Sequence, residues 1–254
     1  MRPLVMGVLN VTPDSFSDGG LWFDPEAAVA HGRELIAEGA DIVDVGGEST
    51  RPGAEPVEEA EERRRVVDVV AALAPHSRVS IDTRKRAVAE AAVAAGATLV
   101  NDPSASLWPV AAEAGVGWVA MHMQGEPATM QRAPHYDDVV AEVRDYLVER
   151  AAAAHDAGVE EVWIDPGIGF GKTIEHNLVL FRRLSCLVDT GVPVLVGASR
   201  KSFLGRLTGG APVDDRLEAS VAAATWAMAH GAGMIRVHDV AETVAAARLV
   251  EMVA

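Results

Sequence analysis

Eight short apolar runs in this 254-residue chain each end on side chains able to do chemistry. In order these are Asn10, the trio Gly46-Gly47-Glu48, Asp82, Asn101 with Asp102, His122, Asp165, the trio Ser199-Arg200-Lys201, and Arg236 with His238. Asp82, Asn101 and Asp165 offer carboxylate and amide edges suited to a planar heterocycle rich in N–H donors. A carboxylate that accepts two parallel N–H bonds provides affinity and orientation together. Arg51, Lys201, Arg236 and His238 supply cations for a phosphate-type group. Each residue also has an ordinary reading. Asp82 and Asn101 are good helix N-caps, and His122, between two methionines, suits a packed, hydrogen-bonded core histidine. What sets the group apart is that all eight runs end this way.

The run 162–173 (VWIDPGIGFGKT) shows how the spacing discriminates. Gly171-Lys172-Thr173 resembles the end of a phosphate-binding loop, but that motif needs glycine at 166, where Pro166 stands. Nor does Gly167, Gly169, Gly171 match the dinucleotide spacing. The stretch therefore reads as a carboxylate, Asp165, at a strand tip with a tightly turning backbone behind it. Lys172 is the weaker candidate for a ligand, and Lys201 and Arg236 the stronger. A metal-hydrolase barrel would place a His-x-His pair at a strand end, and none occurs here.

The elements that must carry these residues follow a repeated punctuation. Helix-like segments end at Gly39, Gly96, Gly115, Gly158, Gly191 and Gly231, the position just past a helix where a left-handed conformation is cheapest. A short apolar run follows each, as in a parallel strand buried on both faces. The strands fall at 4–9, 41–45, 78–81, 98–100, 118–121, 161–164, 193–196 and 234–237, with helices including 58–73, 137–156 and 214–229. Eight strand–helix units in about 250 residues is the size of a (β/α)8 TIM barrel, whose active site lies at the C-terminal ends of the strands. A single α/β barrel domain over 1–254 is the expectation; a doubly wound open sheet is the competing architecture. Long strand-to-helix segments at 10–23, 46–56 and 122–135 are the candidate functional loops, since long loops in compact domains are usually functional.

The formal charge of −15 repels nucleic acid and anionic membranes. Cys186 is the only cysteine, which excludes an intrachain disulfide and a cysteine-based zinc site. It reads as a buried small residue in a helix. No apolar run has the length of a membrane span, and the apolar N-terminus lacks a leader-type cleavage site, so a cytoplasmic protein is the expectation. Glu58 to Arg65 reads as a solvated helix start with acids at the N-terminal dipole. Trp108, Trp163 and Trp226 read as packing residues.

At this point the motifs carry a resemblance. The stretches 7–20 (GVLNVTPDSFSDGG) and 44–53 (DVGGESTRPG) are similar to the opening signatures of the dihydropteroate synthase family. So, in order, are 80–83 (SIDT), 101–102 (ND), 121–125 (MHMQG) with 129–131 (TMQ), 165–172 (DPGIGFGK), 197–203 (GASRKSF) and 236–238 (RVH). The resemblance implies condensation of 6-hydroxymethyl-7,8-dihydropterin pyrophosphate with p-aminobenzoate, giving 7,8-dihydropteroate and pyrophosphate in folate biosynthesis. It also implies Mg2+, a homodimer and sensitivity to sulfonamides. Carried over by motif, Asp82, Asn101, Met121, Asp165, Gly197 and Lys201 are expected to contact pterin. Asn10, Arg51, Arg236 and His238 are expected at the pyrophosphate, with Asn10 also at the metal. Phe16, Thr50, Pro52, Phe170 and Ser202 are expected around p-aminobenzoate. Asp18, Arg51, Lys201, Arg236 and His238 are the expected catalytic residues. Two relations stay open on sequence: a pterin-dependent methyltransferase, and an inactive pterin-binding paralogue. One departure is Pro103, where the family usually has an aliphatic residue; it removes an N–H and drives Asp102 towards an extended conformation.

Overall fold

The computed structural model describes residues 2–12, 25–49 and 56–253. Its sheet has eight parallel strands: β1 (Leu4–Asn10), β2 (Ile42–Gly46), β3 (Arg78–Asp82), β4 (Leu99–Asp102), β5 (Gly117–Met121), β6 (Val162–Asp165), β7 (Leu195–Val196) and β8 (Met234–Val237). Their order, β6-β5-β4-β3-β2-β1-β8-β7, leaves only β6 and β7 to be joined. A parallel bridge between Ile164 and Val194 does this, the Ile164 N–H donating to the Pro193 carbonyl at 2.9 Å. The sheet therefore closes into a TIM barrel. β7 is shorter than expected from sequence: only Leu195 and Val196 pair with β8, Val194 makes a single bridge to β6, and Pro193 has no N–H to give a ladder.

The helices are α1 (Pro25–Ala37), α2 (Glu59–Leu73), α3 (Arg86–Ala94), α4 (Trp108–Ala114), α5 (Val139–Asp156), α6 (Ile174–Arg182), α7 (Ser185–Val188), α8 (Ser202–Leu207), α9 (Leu217–Ala229) and α10 (Val240–Val253). All six glycines expected at helix ends have positive φ. The predicted helix at 137–156 starts two residues later, because Asp138 is its cap and accepts from the N–H groups of Val140 and Ala141. The predicted helix at 214–229 begins as a 3-10 turn at Val213–Asp215 before α9.

Strand alternation sorts the side chains into two compartments. Val5, Leu9, Val43, Val45, Val79 and Ile81 point outward and pack with the helices. Met6, Ile42, Leu99, Val119, Leu195 and Met234 form a separate buried layer inside the barrel. Below it, Glu161 accepts from Arg78, and from the indole N–H of Trp163, which packs against the layer. Two residues above the layer, the same inward-facing positions become Asp44, Asn101, Met121, Gly197 and Arg236, with Asp165 two above Trp163. The polar residues thus share one end of the barrel because strand geometry repeats every second residue, and that end is the C-terminal one.

Candidate active site

Among the described residues, the barrel's upper interior is built around Arg236. Its Nε donates to Asp44 Oδ2 at 2.6 Å and its Nη2 to Asp82 Oδ2 at 2.7 Å. The same Asp44 oxygen accepts from Asn101 Nδ2 at 2.9 Å. Asp44 is fully buried and Asp82 nearly so, yet Oδ1 of each has no hydrogen-bond partner. Buried polar atoms are almost always paired, so these acceptors and the nearby Ser80 hydroxyl, also without a partner, suit a ligand bearing N–H donors. Burial pushes the Asp82 carboxyl up to about 7, against the opposing pull of Arg236 and with Asp44 adding to the rise. Neither Asp82 nor Asn101 caps a helix; Lys85 precedes α3, and its N–H is accepted by Thr83 Oγ1.

Asp165 ends β6 in the same enclosure. Its Oδ1 accepts from the Gly167 N–H at 2.7 Å. Burial raises its pKa despite the neighbouring Lys201. Glycine is required at 167 and 171, where φ is +63° and +60°. A Cβ at Gly167 would lie 1.8 Å from the His122 carbonyl oxygen, and one at Gly171 2.3 Å from that of Gln124. The loops after β5 and β6 therefore touch backbone to backbone.

Lys172 lies beneath this contact, 3% exposed. Its ammonium meets His122 Nδ1 at 2.9 Å and the carbonyls of Phe170 and His122 at 3.0 and 3.3 Å. Burial lowers its pKa to about 7, and burial with the Lys172 charge lowers that of His122 to about 3. His122 is a packed residue, as expected, and Lys172 braces the loops from behind. Lys201 lies on the open side. Its ammonium bonds the Ile168 carbonyl and stands 4.6 Å from the centre of the Phe170 ring. Burial lowers its pKa to about 8, partly restored by Asp165.

Gly197 passes close to Arg236, a Cβ there falling 3.6 Å from the arginine's own Cβ. Met121 is buried at the end of β5, and Asn10 is half-buried at the end of β1 beside Gly46. His238 Nδ1 lies 3.0 Å from Ser199 Oγ. Ser202 opens α8 and is exposed, while Phe170 is half-buried. The structure thus brings Asp82, Asn101, Asp165, Gly197, Lys201 and Arg236 to one end of the barrel. Phe16, Asp18, Thr50, Arg51 and Pro52 lie outside the described residues.

The structure adds one site residue that the sequence reading missed and corrects readings elsewhere. Asp44, which directly orders Arg236 and Asn101, was not expected as a site residue; its signal was an acid inside the apolar run IVDVG. Glu62 is not solvated: it is 1% exposed and bonds Thr83 Oγ1 at 2.7 Å and the Lys85 ammonium at 2.5 Å. Trp226 reads as a packing residue and does pack, but at the surface: it is 49% exposed and stacked on His230 with ring centres 4.1 Å apart. Cys186 sits in α7 as expected but only half-buried. Pro103 sits in a loop that Asp102 organises, with Ala105 two residues on at a φ of +49°. The Asp102 carboxylate accepts from the N–H groups of Ser104, Ser106 and Leu107, the Ser104 hydroxyl and Trp118 Nε1.

A closed parallel barrel whose mouth gathers buried acids and an amide around Arg236, with Lys201 and His238 beside them, defines a class of enzyme, and residues 6–238 match the family model for pterin binding enzymes. The chain is 49% identical over 258 residues to the dihydropteroate synthase of Escherichia coli (strain K12), covering 98% of this chain and 91% of that one. It superimposes with a TM-score of 0.93 on the Yersinia pestis dihydropteroate synthase solved with a sulfonamide drug, at 45% identity, covering 99% and 94% of the two chains. For the Xanthomonas albilineans dihydropteroate synthase in complex with 7,8-dihydropteroate the TM-score is 0.89 at 47% identity, with 99% and 93% covered. This chain belongs to the dihydropteroate synthase family, transferases of folate biosynthesis.

Proposed function

We propose that the protein joins 6-hydroxymethyl-7,8-dihydropterin pyrophosphate to p-aminobenzoate, releasing pyrophosphate. The observation that carries this reading is the enclosed set of Asp44, Asp82, Asn101 and Asp165, with buried acceptor atoms unspent, directly beside Arg236 and Lys201. Asp82, Asn101 and Asp165 hold the pterin through its N–H donors, with Met121 and Gly197 shaping the enclosure. His238, Arg236 and Asn10, together with Arg51, receive the diphosphate. Phe170 and Ser202, with Phe16, Thr50 and Pro52, receive p-aminobenzoate, and Asp18 belongs to the first long loop of the same site. The Xanthomonas albilineans relative, solved with dihydropteroate, supports this substrate class.

The C–O bond to pyrophosphate breaks, the methylene carbon bonds the aromatic nitrogen, and that nitrogen loses a proton. The dihydropterin is electron-rich, so bond breaking runs ahead of attack in an SN1-like path. The amine is neutral at pH 7 and needs no strong general base. What this chain supplies is charge placed where pyrophosphate gathers it, which is usually the largest catalytic term. The described residues hold no cluster of three His, Cys, Asp or Glu side chains able to cage a metal. Asn10 fits Mg2+ in another way. Its amide oxygen is a hard donor, and Mg2+ prefers one or two protein oxygens together with substrate phosphates and water. When bound, the ion neutralises leaving-group charge.

A cytoplasmic homodimer is part of the same proposal. No helix among the described residues is long and apolar enough to cross a membrane. Leu207, Val213 and Trp226 are apolar side chains left exposed near α8 and α9, which supports a second copy as partner. Sulfonamides are expected to compete with p-aminobenzoate, since the Yersinia pestis relative is solved with such a drug. A pterin-dependent methyl transfer has no use for the Lys201 and His238 side of the mouth, and an inactive paralogue has no reason to keep it.

The test separates the two halves of the site. Asp165→Ala should weaken binding of the free pterin, and an unchanged affinity removes its role. Arg236→Met should lower turnover at saturating substrate by roughly 10²–10³; unchanged turnover removes Arg236 as the stabiliser of pyrophosphate.

A further inference from the structure

Arg200 stands between two of the substrate-facing groups, Lys201 next in the chain and His238 across the rim. Its φ is +57°, and only Ala105 shares this left-handed region among the described non-glycine residues. There the Cβ of an L residue crowds the following carbonyl, and glycine is the usual occupant. Such a conformation persists only where the surroundings over-determine it, and the restraints can be named. The Arg200 N–H donates to Ser220 Oγ at 2.9 Å, and its carbonyl accepts from Arg216 Nη1 at 2.8 Å. Ser220 Oγ donates in turn to the Arg216 carbonyl at 2.6 Å. The guanidinium makes a two-point bond to Asp239, Nε to Oδ2 at 3.2 Å and Nη2 to Oδ1 at 2.5 Å.

Asp239 follows His238 directly, and Ser199, on the other side of Arg200, accepts from the His238 backbone N–H at 3.2 Å while its hydroxyl meets the imidazole. The loops after β7 and β8 are therefore fastened twice, once by Ser199 to His238 and once by Arg200 to Asp239. The left-handed residue lets its neighbours serve different partners: Ser199 turns to His238, and Lys201 turns to the Ile168 carbonyl in the loop after β6. Glycine would meet the backbone requirement at less cost, so the presence of arginine points to a use for the side chain.

We propose that Arg200 is a positioning residue for the diphosphate end of the site, holding His238 in register by tying the β7 loop to the β8 loop through Asp239. This rests on the reading of His238 as a diphosphate-facing group. Neither Arg200 nor Asp239 needs to touch substrate for it to hold.

The full-length protein and the variants Arg200→Ala, Arg200→Gly, Arg200→Lys and Asp239→Asn test it. Calorimetry measures affinity for inorganic pyrophosphate with Mg2+ and, separately, for a pterin without phosphate; steady-state kinetics supply kcat and KM. Loss of register should weaken pyrophosphate binding and lower kcat about tenfold to a hundredfold in Arg200→Ala and Asp239→Asn. Pterin affinity should stay within about twofold, a split that a general loss of structure does not produce. Arg200→Gly suits the positive φ and should recover thermal stability lost in the alanine variant without recovering pyrophosphate affinity. Arg200→Lys, which keeps the charge but not the fork, should fall between. If Arg200→Ala fails to fold, Asp239→Asn carries the same comparison. A folded Arg200→Gly or Asp239→Asn that binds pyrophosphate within about twofold of wild type overturns the positioning role and leaves the proposed reaction standing. A wild-type protein that binds pyrophosphate and pterin but makes no dihydropteroate overturns the reaction, while the binding comparison still decides Arg200. A wild type that binds no pyrophosphate overturns both.

Discussion

Replacing Asp44 tests whether the site is ordered from beneath. This carboxylate is completely buried and holds both Arg236 and Asn101 through one oxygen, at 2.6 and 2.9 Å. Asp44→Ala removes a charge-assisted hydrogen bond, about 1.5–3 kcal/mol, and orphans the Asn101 amide, about 1–3 kcal/mol more. Breaking a buried ion pair on one side alone typically costs about 3–5 kcal/mol. Two features reduce the sum. Arg236 keeps Asp82 at 2.7 Å, and removing Asp44 relieves its repulsion of the Asp82 carboxylate. A net loss of about 3 kcal/mol follows, which in a protein of this size lowers Tm by about 6–12 °C. Asp44→Asn, which can still accept one hydrogen bond, should lose about half as much. Thermal unfolding of both variants gives the stability, and calorimetry with a pterin lacking phosphate gives the affinity, which should fall because Asn101 is no longer aimed. A Tm within about 2 °C of wild type, with pterin affinity intact, refutes the claim that Asp44 organises the enclosure.

Two further outcomes follow from the same geometry. Gly167→Ala places a Cβ in collision with the His122 carbonyl at a positive φ; it should displace the Asp165 loop and abolish pterin binding, which calorimetry on a folded sample checks. For Asp82 the sign is set by its raised pKa, from 3.8 to about 7, driven by burial. A carboxyl whose folded pKa exceeds its unfolded one contributes stability that is full below the unfolded value and lost as pH rises through the folded value. The stability of wild type relative to Asp82→Asn should therefore decline between pH about 4 and about 7, as read by denaturant unfolding across that range; a constant difference contradicts the buried-acid picture.

The barrel was legible because its strands and helix ends carry local signals: apolar runs buried on both faces, and glycines where the chain leaves each helix. The polar ends were legible for the same reason, since every strand tip breaks its apolar run visibly. Asp44 was not, because it sits inside a run, and only the alternation of a closed sheet shows that it faces the enclosure and not the helices. Glu62 misled for a related reason. Its place in an acidic helix start predicts solvent, but Lys85 and Thr83 arrive from the next loop and enclose it, a tertiary contact with no trace in local spacing. Trp226 packs as read, but its outer-helix position, which local spacing does not reveal, leaves it half in solvent against His230. Lys172 and Lys201 are the instructive pair. Both are lysines beside the same loop; the sequence ranked Lys201 above Lys172 as a ligand, and the structure adds the reason, one bracing the loop from within and the other standing on the open side.

The most direct measurement of the central claim is pyrophosphate release by the purified protein, with the organic product identified by mass. The account predicts steady release that needs dihydropterin pyrophosphate, p-aminobenzoate and Mg2+ together, with dihydropteroate formed in equal amount and a sulfonamide slowing it in competition with p-aminobenzoate. Binding of pterin with no dihydropteroate formed under those conditions would contradict it.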